Sequence, residues 1–178
     1  QIGAAPLMLG ALYQRSMRLG DVVLPHMRAL AEATGEAVSF YIRERDVRVC
    51  LHRVDSSHSI RDHVREGDVL PLERGSGGRV LCAFSGMQGA TYDAIRRDHY
   101  YVSIGERDRE TVGLSVPVFG AQQALRGALC LAGPASRIDG ARLQSWRGPV
   151  LEHAAQITST LGGDPAPLRH AAQLIQKT

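Results

Sequence analysis

Apolar positions along the chain change their period several times, and each change marks an element. Leu19, Val22, Val23, Met27, Leu30 and Ala31 recur at spacings of three and four, which puts them on one face of an α-helix. Gly20-Asp21 reads as the start of that helix, where Asp21 can accept hydrogen bonds from free backbone amides. Pro25 would lie in its first turn, and Thr34-Gly35 would end it. Ahead of it, residues 7–17 (LMLGALYQRSM) predict a separate short helix. Its apolar positions, Leu7, Met8, Ala11, Leu12 and Met17, fit packing on the same domain or a link to another equally well. Alternation then takes over. Residues 37–42 (AVSFYI) and 47–51 (VRVCL) predict two strands joined by the polar loop 43–46. A third extended piece is expected near residues 60–64, leading into the Glu66-Gly67-Asp68 turn.

From residue 75 the pattern is loop, helix, strand. Gly75-Ser76-Gly77-Gly78 feeds an apolar helical spacing at Val80, Leu81 and Phe84, and a further helix is expected over residues 88–97. Strands are predicted at 100–102, 112–119 and 126–132, the last two joined as a hairpin through 120–124. Leu143, Trp146, Val150, Leu151, Ala154, Ile157 and Leu161 form the stripe of a long helix, with Pro149 as a kink point. Beyond Gly162-Gly163-Asp164-Pro165 the chain reads as a linker and a loosely held short helix. Hairpin strands with helices gathered beside them predict an α+β fold on an antiparallel sheet.

Composition narrows the class. At 178 residues there is enough chain for one domain with a real core, and 44% hydrophobic residues exclude disorder over most of it. The net charge of +3 is carried by scattered arginines, with Lys177 the only lysine, so charge alone predicts a solvated surface rather than a nucleic-acid face. Cys50, Cys82 and Cys130 are odd in number, lack metal-ligand spacing and sit in apolar runs, which predicts buried free thiols and a cytoplasmic location. No apolar stretch reaches the roughly 18 residues of a membrane span, and no signal peptide is visible. The chain begins Gln1-Ile2-Gly3, without an initiator methionine, and is expected to have lost what preceded it.

The 75–78 loop is the strongest chemical signal. Small residues expose backbone amides, and a following helix adds partial positive charge, so the place suits a carboxylate; a tight turn without ligand fits the same residues. It is neither a Walker loop nor a dinucleotide-binding GxGxxG. His52, His58, His63, His99 and His153 make no metal pair at helical or hairpin spacing, and Ser76, Ser103 and Ser115 lack a nucleophile elbow. No catalytic residue, metal or cofactor is expected. Sulfoxide-reductase chemistry at Cys82 or Cys130 needs an exposed, activated thiolate, which apolar burial opposes.

Several stretches together resemble the IclR family of bacterial transcriptional regulators. They are LAEATGEAVSFYI from Leu30, VCLHRVDSSHSIRDHVREGDVLPLERGSGGRVLCAF from Val49, YYVSIGERDRETVGLSVPVF from Tyr100 and RGALCLAGPASRI from Arg126. Their order and spacing over about residues 20–140 carry the likeness. The resemblance implies a GAF-like α+β domain with a curved antiparallel sheet, the C-terminal effector-binding part of a regulator. Residues 1–19 would end a linker helix from a missing N-terminal winged helix-turn-helix domain, 20–162 would be the sensing domain and 163–178 a C-terminal tail. The implied partners are a small organic effector, a second copy or three, and DNA only through the missing domain, with no membrane. Matched one position at a time, the family's effector site falls on Leu70, Ser76, Gly77, Ser103, Thr111, Gly113, Cys130 and Ala132. Two serines of the family pattern are Cys130 and Ala132 here, its PLH histidine is Glu73, and its GK lysine is Arg79. Fewer hydroxyls predict a larger, less polar effector such as an aromatic acid. Two other readings stay open: a small-molecule enzyme on the same scaffold, and a domain serving only in oligomerisation.

Overall fold

The computed structural model describes residues 4–178, with side chains from Ala11 onward except Leu12 and Tyr13. The side chains expected to be apolar contacts at Leu7, Met8 and Leu12 therefore lie outside what is described. Six strands form one sheet in the order β3-β2-β1-β6-β5-β4, and every neighbouring pair is antiparallel. The strands are β1 (Ala37–Glu44), β2 (Val47–Val54), β3 (Val69–Pro71), β4 (Tyr101–Ile104), β5 (Thr111–Phe119) and β6 (Leu125–Pro134). The helices are α1 (Ala4–Thr34), α2 (Ser76–Phe84), α3 (Ala90–Asp98), α4 (Gly140–Thr160) and α5 (Ala166–Gln176). The fold is α+β with a curled antiparallel sheet, as expected.

Alternation along β5 and β6 decides which helix lies where. Val112, Leu114, Val116 and Val118 point to one face and join Leu129 and Leu131 of β6 in a core completed by α1, α4 and α5. Ala128 and Cys130 point to the other face and pack with Tyr41, Cys50, α2 and α3. The register keeps like with like: Leu114 is opposite Leu131, Ser115 opposite Cys130, and Gly113 opposite Ala132.

Three expectations about elements need correction. The two predicted N-terminal helices are one, α1, with Pro25 in its interior and not in a first turn. Gly20 is no boundary. A Cβ there would lie 2.9 Å from the His52 ring, and His52 Nε2 sits 3.1 Å from the Ser16 carbonyl oxygen, so this glycine lets α1 approach β2. Residues 60–64 form no strand. Ile60 is 71% exposed and the segment is held by side chains, with Arg137 donating to the Ile60 carbonyl and Arg53 to that of Asp62. Finally, α5 is not loosely held: Leu168, Ala171 and Ala172 are buried against the α1/α4 core. The helix ends behave as read at Thr34, whose hydroxyl bonds back to the Leu30 carbonyl, and at Gly35, where φ is +76°.

Candidate effector site

The N-terminus of α2 is driven into the polar face of the sheet where β4, β5 and β6 meet. Close approach there depends on glycine. A Cβ on Gly113 would lie 2.6 Å from Ser76 Oγ, and one on Gly78 would lie 1.7 Å from the Leu72 carbonyl oxygen. The hydroxyl of Ser76 is 2.7 Å from that of Ser115 and 3.5 Å from the Cys130 sulfur, while the Ser76 amide donates to Ser103 Oγ at 3.1 Å. The Gly75 amide donates to Glu106, which also accepts from Arg79. The first two amides of the loop, expected to meet an anion, are thus already taken by a hydroxyl and a carboxylate of the protein itself.

A small cavity of about 20 Å³ opens beside this junction. Of the eight residues expected at an effector site, Ser76, Ser103, Thr111, Gly113, Cys130 and Ala132 line it. Gly77 lies just behind, its absent side chain making room for Arg48 and Tyr41, each 2.9 Å from where a Cβ would stand. Leu70 does not line the cavity; it sits on β3 opposite Arg48. Four further lining residues were missed on sequence: Tyr41, Arg48, Asp62 and Arg107. A signal was available for one of them. An arginine between valines in Val47-Arg48-Val49 breaks the apolar run of a strand, and burial falls on Arg48 and Cys50, not on the valines.

These missed residues change the chemistry. Arg48 is 2% exposed, with its guanidinium 4.6 Å from the centre of the Tyr41 ring. Its Nε is buried without a hydrogen-bond partner among the described residues, and no ion pair there includes it. The nearby carboxylate, Asp62, is occupied by two other arginines: Arg53 at 3.2 Å and Arg107, which closes on its other oxygen. The site therefore holds an excess of buried positive charge. Where the expected effector site has lost hydroxyls, guanidinium groups stand beside a small inner cavity. A wider cleft of about 160 Å³ adjoins it, sharing Asp62, Arg107 and Thr111 as a common wall. An open groove of about 530 Å³ between α3, α4 and α5 is larger and also holds an unpartnered guanidinium nitrogen, Arg147 Nε, but Arg147 is only half-buried and donates to the Tyr100 hydroxyl.

Thiol chemistry has little support. All three cysteines are buried and free; burial pushes the Cys50 thiol up to about 11 and raises Cys82 as well. Among the described residues no cluster of histidine, cysteine or acidic side chains could hold a metal, and no helix is long and apolar enough to cross a membrane.

Residues 11–92 match the family model for the bacterial transcriptional regulator IclR C-terminal domain. Over those residues the chain matches the C-terminal domain of IclR-family regulators. It is 22% identical to the transcriptional repressor IclR of Escherichia coli over 91% of this chain and 69% of that protein. Among solved structures it is similar to an IclR-family transcriptional regulator from Rhodococcus sp., with a TM-score of 0.71 and 27% identity, covering 80% of this chain and 63% of the other. It shares its fold with an IclR-type protein from Silicibacter sp., with a TM-score of 0.78 and 22% identity, over 92% of this chain and 74% of that one. The chain thus spans about two thirds of the length of such relatives. These relatives are transcriptional regulators, which supports a regulatory role for the matched domain.

Proposed function

We propose that the chain is the effector-sensing part of a bacterial DNA-binding transcriptional regulator. In this reading a small organic acid binds between α2 and the β4-β5-β6 face, at Ser76, Gly77, Ser103, Thr111, Gly113, Cys130 and Ala132, with Leu70 behind Arg48. Binding then shifts the arrangement of subunits, and DNA-binding domains outside this chain follow. Regulation of this kind requires different affinities for two quaternary states and no chemical step.

The observation that carries the reading is convergence. Six positions that the resemblance assigns to an effector meet at one cavity, and a buried cation with an unpartnered nitrogen meets them there. A domain serving only in oligomerisation has no need of that charge. The test is a thermal-shift screen of the whole chain against aliphatic and aromatic carboxylates and neutral analogues. A ligand at 100 times its dissociation constant adds about 2.7 kcal/mol of stability. A shift confined to one chemical class, with the compound recovered unchanged, supports the sensor; no shift with any compound transfers the weight to oligomerisation.

A further inference from the structure

Buried cations in folded proteins are paired or serve a ligand, because removing a guanidinium from water without a partner is costly. Arg48 is paired with no carboxylate among the described residues, and its Nε has no hydrogen-bond partner there. It is held rigidly: Tyr41 stacks on it, and its two terminal nitrogens lie close to the places a side chain would occupy on Gly75 and Gly77. Two glycines in the α2 loop thus keep space for the guanidinium, as well as for backbone approach. A second feature lies at the cavity mouth. Asp62 and Arg107 pair across the wall between the inner cavity and the outer cleft. Asp62 has another arginine, Arg53, bonded through both its carboxylate and its backbone carbonyl. Arg107 can therefore leave without stripping Asp62 of its partner.

We propose that Arg48 is the receptor for the carboxylate of the effector, and that the Arg107–Asp62 pair is the gate through which the acid enters. This rests on the sensing function proposed above. The inner cavity has space for about one water molecule. A ligand larger than that enters by parting the gate, which joins the inner space to the outer cleft. Its carboxylate then takes two parallel hydrogen bonds from Arg48, the geometry that guanidinium and carboxylate share. Its remainder extends past Thr111 into the cleft. The ligand class is a small carboxylic acid, recognised as its anion. The uncharged amide of the same shape leaves the guanidinium unsatisfied and is rejected.

The test uses the whole 178-residue chain with acetate, propionate, pyruvate, succinate and benzoate as probes, each beside its primary amide. Calorimetry on the wild type, Arg48→Met and Arg48→Lys reads affinity, and stopped-flow mixing with Arg107→Met reads entry. At least one acid is expected to bind while its amide does not. Arg48→Met should weaken that acid roughly 10- to 100-fold, and Arg48→Lys should retain part of the affinity. Without ligand, Arg48→Met should melt higher than the wild type, which a purely structural arginine would not allow. Arg107→Met should speed association. If an acid binds the wild type and Arg48→Met equally, the receptor assignment fails while the sensing function stands. Equal binding of acid and amide also overturns the receptor. An unchanged association rate in Arg107→Met overturns the gate. If no probe of either charge binds the wild type, both the inference and the sensing function it rests on lose their support.

Discussion

The two faces of the sheet are built from the same strands and obey different rules. On the α1/α4/α5 face, valine and leucine from β1, β5 and β6 interdigitate with helix side chains, and the core is filled. On the α2/α3 face, the alternate positions of β5 and β6 carry glycine, serine, alanine and cysteine, and the space they leave is taken by a helix N-terminus and charged side chains. One face contributes stability by burial. The other spends some of it to keep small residues and an unpaired guanidinium where a ligand can reach them. The proposed site sits on the face where local packing is least optimal, as strained functional sites commonly do.

That contrast can be broken by mutation. Truncating the filled face has the largest expected effect: Leu131→Ala should cost about 2–5 kcal/mol in chemical denaturation, since Leu131 is buried opposite Leu114. Next comes the Glu36–Arg137 ion pair beside that core. Glu36 is buried and accepts from Arg137 at 2.6 and 2.8 Å, so Arg137→Met should cost about 3 kcal/mol by leaving a carboxylate unpaired. On the polar face the sign reverses, and Arg48→Met should stabilise the unliganded chain by about 1 kcal/mol. A loss of stability there as large as that of Leu131→Ala would erase the distinction between the faces.

Acid sharpens the comparison further. His26 of α1 and His153 of α4 stand with their Nδ1 atoms 2.8 Å apart. Burial lowers the pKa of both, and His26 lowers that of His153 further; burial also lowers His99. These rings are neutral when folded, while the unfolded chain takes up protons near the ordinary histidine value of about 6.5. Their contribution is therefore complete above that pH and is lost as pH falls below it. Melting temperature should decline from pH 7 to 5, and His153→Gln should flatten the slope. The smallest effect is reserved for the exposed Arg97–Asp98 pair, where Arg97→Ala should leave the melting temperature unchanged within error.

Much of the fold was legible because period and punctuation are local. The hairpins, the α2 loop, the stripe of α4 and the burial of three cysteines all follow from neighbours in the chain. Pro25 and Gly20 misled because both normally interrupt helices, whereas here tertiary packing holds α1 together across them. The tail misled for a similar reason: Leu168, Ala171 and Ala172 look sparse until α4 supplies the other half of the contact. At the site, family resemblance located six of the lining positions, because strand register carries them together.

What the sequence by itself determined was the class of fold, the sheet's hairpins, the free thiols and six residues that meet at one cavity. What only the tertiary structure decided was the character of that site. Arg48, Asp62 and Arg107 lie on a strand and two loops up to 59 residues apart in number, and nothing local relates them. Whether an arginine is solvated, paired or buried alone depends on which carboxylates the fold brings to it. Here Asp62 goes to Arg53 and Arg107, and Arg48 is left with a tyrosine ring and a cavity.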